Sequence, residues 1–217
     1  MKSNKIEKIR QGIPSIDDHV QQSALAKFDT LTKPSKSLGR LEELIARAAG
    51  VYGCLNHSLK RKVIFLMAAD HGVTAEGVSA YPAEITYQMV LNFLEGGAAI
   101  NVLARHFGLE IVITDIGVRG DLSQKSGIMH RKIASGTNNM AKEPAMTEEM
   151  AERSIEIGYE VFEDAFEQGE IDLIGLGEMG IGNTTASSAI ISLLTGAEIE
   201  DVVDTGTGLK PEAVPHK

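Results

Sequence analysis

The sequence has few of the features that would place a protein in a membrane, outside the cell or on nucleic acid. Its one cysteine, Cys54, allows no internal disulfide, which is typical of a reducing cytoplasm. No stretch approaches the roughly 18 uninterrupted apolar residues of a membrane span, and residues 1–18 lack the apolar run that a signal peptide requires. The formal net charge of −9 opposes sequence-independent binding to nucleic acid, which requires a basic surface. We therefore expect a cytoplasmic protein that contacts no membrane and no nucleic acid.

Short apolar runs within an ordinary globular composition indicate the fold class. The 217 residues are 43% hydrophobic and 24% charged, which suits one domain with a smaller accessory part. Three runs predict buried parallel strands, at Val63–Ala69, Glu110–Ile116 and Ile171–Leu176, and a weaker fourth candidate is Asp201–Asp204. Helical patterns lie between the runs, at Glu84–Leu94, at Ala98–Phe107 and from Thr147 to Gly169. We predict an α/β fold with a doubly wound, mostly parallel sheet flanked by helices.

The first 55 residues have a different pattern from the rest. Ser15 is positioned to cap a helix that runs to about Leu31, and Leu38–Ala49 has amphipathic spacing. We predict a small helical accessory region at residues 1–55 and the α/β domain at residues 56–217. Residues 118–146, rich in Gly, Ser, Asn and Lys, are predicted to form an irregular excursion, a kind of segment that is often functional.

An acidic residue and a glycine accompany the end of every predicted strand. The acids are Asp70, Asp115, Glu178 and Asp204. Ligands of open parallel sheets bind beyond the carboxyl ends of the strands, so we expect these carboxylates to surround one crevice. Aspartate and glycine also favour turns and caps, and a purely structural role for each acid stays open.

The segment Gly175–Thr185 carries the strongest local signal. Its glycines at 175, 177, 180 and 182 permit positive φ and close approach to a ligand, and a helix follows from Asn183 to about Gly196. Free amides and the positive end of the helix dipole predict an anion site. A carboxylate would repel that anion, so we expect Glu178 to face another part of the ligand, such as a sugar ring gaining positive charge. A second cluster, Thr205–Gly208, is placed to complete the cradle. For Gly175–Thr185 itself, a tight strand-to-helix turn is the structural alternative.

Two other kinds of site fit the sequence less well. His71 beside Asp70 is far short of a metal ligand set, and the other histidines considered show no ligand spacing. We predict no metal and no cofactor. A nicotinamide-dinucleotide oxidoreductase would need an early strand, glycine loop and helix with an acid about 20 residues later, whereas the glycine loop here comes late in the chain.

Four motifs follow one another along the chain: Leu31–Glu42 (LTKPSKSLGRLE), Ala69–Val73 with Glu76–Val78, Glu143–Thr147 and Gly177–Thr185 (GEMGIGNTT). In these motifs the chain resembles the nicotinate-nucleotide–dimethylbenzimidazole phosphoribosyltransferase family over essentially its whole length. The resemblance implies transfer of 5-phosphoribose from nicotinate mononucleotide to 5,6-dimethylbenzimidazole, giving α-ribazole phosphate and nicotinate. That reaction belongs to assembly of the lower ligand of cobalamin. The resemblance also implies a homodimer.

The resemblance assigns site residues as well. Phosphate and ribose contacts fall on Gly177, Gly180, Gly182, Asn183, Thr184, Thr205, Gly206, Thr207 and Gly208. The benzimidazole pocket falls on Ser79, Tyr81, Gln88 and Met89, although Tyr81 and Met89 equally suit core packing. Glu178 matches an acid near the reacting centre, with a supporting catalytic role. Lys217 falls near a lysine of the family, but we assign no role to a terminal side chain.

The chain also departs from the family pattern. Family members commonly have arginine where this chain has Thr205, and Pro-Gly where it has Ser35-Lys36. They continue beyond the point that matches Lys217, and the glutamate regarded as their catalytic base lies in that continuation. We therefore expect the N-terminal portion of such an enzyme, with little turnover and with exposed strand edges that favour self-association. A non-catalytic module that binds nicotinate mononucleotide or a benzimidazole is the alternative.

Overall fold

The computed structural model describes residues 4–217, with side chains described from Glu7 onward, and the chain divides into two compact units. One unit ends at Lys60 and the other spans Arg61–Lys217. None of the helices in the described residues combines the length and the apolar character needed to cross a bilayer.

The elements follow one another in a helical part and then a mixed part. The first unit contains α1 (Asn4–Gly12), α2 (Asp18–Asp29) and α3 (Arg40–Tyr52). The second contains, in chain order, β1 (Lys62–Ala69), a 3-10 helix (Gly72–Glu76), α4 (Ile85–Leu94), α5 (Ala99–Phe107), β2 (Glu110–Gly117), β3 (Met129–His130), α6 (Glu148–Glu167), β4 (Leu173–Met179), α7 (Asn183–Thr195), α8 (Ile199–Val202) and a second 3-10 helix (Pro211–His216).

In the first unit, polar side chains fix the ends of the helices. The Val20 N–H donates to the Asp17 carboxylate at 3.0 Å, so α2 begins after Asp17 and the predicted cap at Ser15 is wrong. The Lys33 ammonium and the Leu38 N–H both bind the Glu42 carboxylate, at 2.7 and 3.2 Å. The bond from Lys33 lowers the pKa of Glu42. The conspicuous Leu31–Glu42 motif therefore forms the turn into α3.

Lys36 has a φ of 58° and is the one residue other than glycine with a positive φ among residues 4–217. It stands where the family resemblance leads us to expect glycine. Left-handed backbone costs a residue with a Cβ roughly 1–2 kcal/mol, which exceeds the roughly 0.5–1 kcal/mol of extra chain entropy that glycine loses on folding. We expect Lys36→Gly to raise the free energy of unfolding by about 0.5 kcal/mol, measured by urea denaturation. The control Ser35→Gly, at a position without positive φ, is expected to lower it. Equal effects of the two changes would contradict this account.

The second unit is built on a four-stranded sheet in which every pair is parallel, in the order β3-β2-β1-β4. On one face, Leu66 of β1 packs with Val90 of α4 in a buried cluster. On the other face, Val63 of β1 packs with Ile157 and Val161 of α6. Helices therefore cover both faces, and the predicted α/β fold is confirmed.

The predicted helices of this unit are also confirmed, and their capping residues explain their limits. The Met150 N–H donates to Thr147 Oγ1 at 3.2 Å and starts α6. Gly108 ends α5 in the left-handed conformation, with φ 62°. Residues 118–146 form an irregular excursion, as predicted, but contain the short strand β3, which had no signal in the apolar pattern.

Two strand predictions are wrong in detail. Asp201–Asp204 is not a strand, because it has two apolar residues and α8 ends at Val202. β4 runs to Met179, so Gly175 and Gly177 lie in the strand and not in a loop. A Cβ at Gly177 would lie 3.2 Å from Leu66 Cδ1. Gly177 therefore leaves room for the Leu66 side chain.

Candidate functional site

The turn between β4 and α7 consists of Gly180, Ile181 and Gly182. Gly182 has a φ of 88°, whereas the other three glycines of the predicted loop do not have positive φ; that part of the prediction is wrong. Gly180 is required for a different reason. A Cβ there would collide with the Ala69 carbonyl oxygen and lie 2.9 Å from His71 Cδ2. The end of β4 is thus held against the end of β1.

The amides of this turn and of the start of α7 are only partly bonded within the protein. The Ile181 N–H donates to Thr86 Oγ1 at 3.0 Å, and the Asn183 N–H donates to the Gly180 carbonyl at 3.0 Å. The N–H groups of Gly182 and Thr184 have no acceptor in the part of the chain that the structure describes. An anion at the start of α7 therefore has free amides, hydroxyls and a cation as hydrogen-bond donors.

A cavity of about 330 Å³ opens beside this turn. The structure brings most of the predicted site residues into its wall: Ser79, Tyr81, Met89, Glu178, Gly180, Gly182, Asn183, Thr184, Thr205 and Thr207. These residues come from the segment after the first 3-10 helix, from α4, from β4 with its turn, from the start of α7 and from the segment after α8. The cavity therefore lies at the carboxyl end of β4.

Four predicted residues lie outside this wall. Gln88 lines a neighbouring cavity of about 300 Å³ with Asp70 and Arg119, because consecutive residues of α4 point in different directions. Gly177 lies within β4. A Cβ at Gly206 would lie 2.8 Å from Thr184 Oγ1, and one at Gly208 would lie 3.1 Å from the Tyr81 ring, so side chains at these positions would crowd the wall residues.

Glu178 is the one carboxylate in the wall of the larger cavity among the described residues. Burial raises its pKa, and a hydrogen bond from the Asn183 side chain partly opposes that rise. Part of the residue remains open to solvent. A cationic group placed beside it would favour the ionised carboxylate.

The other acids that follow the strands have structural partners. The Arg119 N–H donates to Asp70 at 2.7 Å, and the Val118 N–H donates to Asp115 at 2.8 Å. Both aspartates are 2% exposed. The Thr205 N–H donates to Asp204 at 2.6 Å. The expectation that four carboxylates surround one crevice is therefore wrong, and the turn-forming alternative holds for these three.

Lys217 takes a defined position that sequence reasoning missed. Its ammonium donates to Thr184 Oγ1 at 2.8 Å and to the Asp204 carbonyl at 2.9 Å. Desolvation lowers its pKa, and the charge of Asp204 opposes this. In the described residues no carboxylate lies within ion-pair distance of its ammonium. The sequence signal was the match of Lys217 to a lysine of the family, to which we assigned no role.

No group of three or more His, Cys, Asp and Glu side chains able to hold a metal ion occurs within residues 4–217. The arrangement instead places threonine hydroxyls, near the start of α7, with a carboxylate and with Tyr81 and Met89 in one cavity, and the Lys217 ammonium is bonded to Thr184 of that wall. Such a cavity suits an anionic ligand that also carries a sugar and a flat ring.

The chain is similar in sequence to known proteins. A family model described as phosphoribosyltransferase matches residues 13–217. A nicotinate-nucleotide–dimethylbenzimidazole phosphoribosyltransferase of Chloroflexus aggregans is 47% identical over 205 residues, which are 94% of this chain and 58% of that protein. The protein of the same name from Geobacter sp. (strain M21) is 49% identical with the same coverage.

A solved structure is similar as well. The crystal structure of CobT from Thermus thermophilus superposes with a TM-score of 0.84 at 46% identity, covering 91% of this chain and 59% of that one. The chain thus spans less than two thirds of the length of the relatives it matches.

Proposed function

The chain belongs to the phosphoribosyltransferase family, and we propose that it acts in the transfer of 5-phosphoribose from nicotinate mononucleotide to 5,6-dimethylbenzimidazole. The products are α-ribazole phosphate and nicotinate, in assembly of the lower ligand of cobalamin. The observation that carries the proposal is the single cavity that joins Glu178 to Thr184, with the Lys217 ammonium bonded to that threonine. The names of the relatives support the choice of substrates.

The phosphate of nicotinate mononucleotide is proposed to bind near the start of α7. Thr184, Thr205 and Thr207 supply hydroxyl donors in the cavity wall, and the positive end of the α7 dipole favours an anion there. Lys217 supplies the charge. A monophosphate can replace the neutral acceptors that the ammonium now contacts with a charge-assisted hydrogen bond, which is stronger.

The ribose and the entering base are proposed to occupy the rest of the cavity. The leaving nicotinate is attached through a cationic pyridinium nitrogen and needs no general acid, while bond breaking builds positive charge on the ribose. Glu178 would stabilise that charge when ionised. Tyr81, Met89 and Ser79 offer an aromatic ring, a thioether and a hydroxyl to the flat benzimidazole. A benzimidazole nitrogen attacks the anomeric carbon from the face opposite nicotinate, and the second ring nitrogen loses its proton to a base.

Binding and turnover are separable in this proposal. Since Glu178 is the one carboxylate in the cavity wall among the described residues, a non-catalytic binding module is the second candidate function. Nicotinate release in the presence of both substrates decides between them. Turnover favours the enzyme, whereas tight binding without release favours the module.

Calorimetric titration tests the binding step. We expect nicotinate mononucleotide to bind at least about tenfold more tightly than nicotinic acid riboside, which lacks the phosphate, because a hydrogen bond to a charged group contributes about 1.5–3 kcal/mol. Equal affinities for the two compounds would overturn the phosphate assignment. Loss of the preference on adding millimolar inorganic phosphate would support it.

Self-association and a cytoplasmic location remain part of the proposal. β4 is an edge strand in the sheet, and its Leu176 is 87% exposed, as are Leu193 (84%) and Leu194 (78%) of α7. Exposed apolar residues beside an open strand edge favour association, and light scattering of the purified chain would reveal a dimer. The exposed, unpaired thiol of Cys54 suits a reducing compartment.

A further inference from the structure

We infer that His216 is a positioning residue for the phosphate site, because its imidazole fixes the turn that carries Lys217. The inference rests on the proposed function for its meaning, since Lys217 is the cation assigned to the phosphate. The contact on which it is based is a hydrogen bond of His216 that lies away from the cavity wall. His216 itself lines neither the larger cavity nor its neighbour.

The contact joins the two 3-10 helices of the second unit. His216 Nε2 lies 2.6 Å from the Glu76 carbonyl oxygen. A carbonyl oxygen can only accept, so Nε2 carries the proton and donates. Glu76 ends the first 3-10 helix, and His216 ends the second. The bond therefore connects the segment after β1 to the last residues of the chain.

The Glu76 carbonyl belongs to a segment that other hydrogen bonds and an ion pair fix in place. The Glu76 carboxylate pairs with the Lys142 ammonium at 3.0 Å and also accepts from the Asn139 side chain. A few residues earlier, the Gly72 N–H donates to Thr137 Oγ1 at 3.1 Å. The first 3-10 helix is thus tied to the excursion at residues 118–146. The bond from His216 to the Glu76 carbonyl therefore attaches the final turn to a 3-10 helix that is itself fixed, and not to a free loop.

The final turn has few other attachments. Within the described residues, the hydrogen bonds of Pro211–Lys217 to the rest of the protein are the His216 bond and the two bonds of the Lys217 ammonium. The remaining backbone bonds, such as Lys217 N–H to the Val214 carbonyl at 3.0 Å, close the turn on itself. Since the ammonium must exchange its partners when phosphate arrives, His216 is the attachment that persists.

The physical consequence is preorganisation of the cation. With His216 bonded, the backbone of Lys217 is held near Thr184 before the ligand binds, and less side-chain and segment entropy is lost on binding. Without that bond the ammonium samples solvent as well as its position beside Thr184. The effect should appear only for ligands that carry the phosphate.

The test compares nicotinate mononucleotide with nicotinic acid riboside by calorimetry on His216→Ala. A neutral hydrogen bond contributes about 0.5–1.5 kcal/mol net, so we expect roughly a threefold to tenfold rise in Kd for the nucleotide and no change for the riboside. His216→Gln, which keeps an N–H donor, should restore most of the affinity. His106→Ala, the same change at an exposed histidine of α5, should leave both affinities unchanged. In a Lys217→Met background, His216→Ala should add nothing further.

A second readout does not depend on any ligand. Acylation of the Lys217 amine by acetic anhydride, followed by mass spectrometry, should be several times faster in His216→Ala than in the unchanged protein or in His216→Gln. Unchanged acylation together with unchanged nucleotide affinity would overturn the inference, as would an equal loss of affinity for the riboside. If the unchanged protein does not prefer nucleotide to riboside, the proposed function fails, and the acylation rates still decide whether His216 holds Lys217.

Discussion

Gly180→Ala is expected to lower the free energy of unfolding by about 3 kcal/mol and to abolish binding of nicotinate mononucleotide, since overpacking of a close contact costs typically 1–3 kcal/mol and sometimes more. A Cβ at this position collides with the Ala69 carbonyl oxygen and approaches the His71 ring. Ala69 ends β1, which is bonded to strands on both sides, so the oxygen cannot move without disturbing the sheet. The turn must shift instead, and Thr184 shifts with it.

Gly158→Ala provides the matched control for this change. Gly158 lies within α6, and a Cβ there meets nothing within 4 Å. Alanine in a helix is favoured over glycine by about 0.5–1 kcal/mol, so this variant should be more stable than the unchanged protein. Urea denaturation followed by circular dichroism measures both. Equal stability of Gly180→Ala and the unchanged protein would show that the close contact with β1 does not constrain the turn.

Lys217→Met is expected to weaken binding of nicotinate mononucleotide roughly tenfold or more, since a hydrogen bond to a charged group contributes about 1.5–3 kcal/mol. Methionine keeps most of the apolar stem and removes the ammonium that bonds Thr184 and the Asp204 carbonyl. The affinity for nicotinic acid riboside should not change, because that ligand has no phosphate.

The control for Lys217→Met removes the same charge from the same segment. Lys210 is exposed and stands just before the final 3-10 helix, and Lys210→Met should leave both affinities unchanged. A similar loss in the two variants would show that net charge attracts the nucleotide and that no specific bond to Lys217 is involved. Raised salt would then reduce the affinity of the unchanged protein by a similar factor.

Local sequence patterns predicted much of the fold and several residues of the site. Apolar runs placed β1, β2 and residues 173–176 of β4, because strands in a parallel sheet covered on both faces are apolar along most of their length. β4 is an exposed edge strand, so the expectation that it is buried is wrong. Thr147 and Gly108 marked helix ends because their capping interactions involve only neighbouring residues. The two-residue strand β3 lacked any such pattern, since its place depends on pairing with β2.

Some features of the site residues, too, were predicted from the sequence, and others depended on the tertiary structure. The Gly/Thr motifs indicated Thr184, Thr205 and Glu178, and the tertiary structure brings them into one cavity. Sequence order does not reveal which way a side chain points, so Gln88 was grouped with Met89, although the turn of α4 directs them to different cavities. The glycines were all assigned to phosphate and ribose contacts, yet Gly177 leaves room for the Leu66 side chain and Gly182 forms the left-handed turn.

The sequence by itself determined the α/β class, the main strands and helices, the motif at the start of α7 and the family resemblance, because these depend on residue type and short spacing. Only the tertiary structure decided that Asp70 and Asp115 are bonded to backbone amides and that Lys217 reaches Thr184 from 33 residues away. Contacts of that range depend on how the strands and turns are arranged in space. No local pattern encodes the distance between their ends.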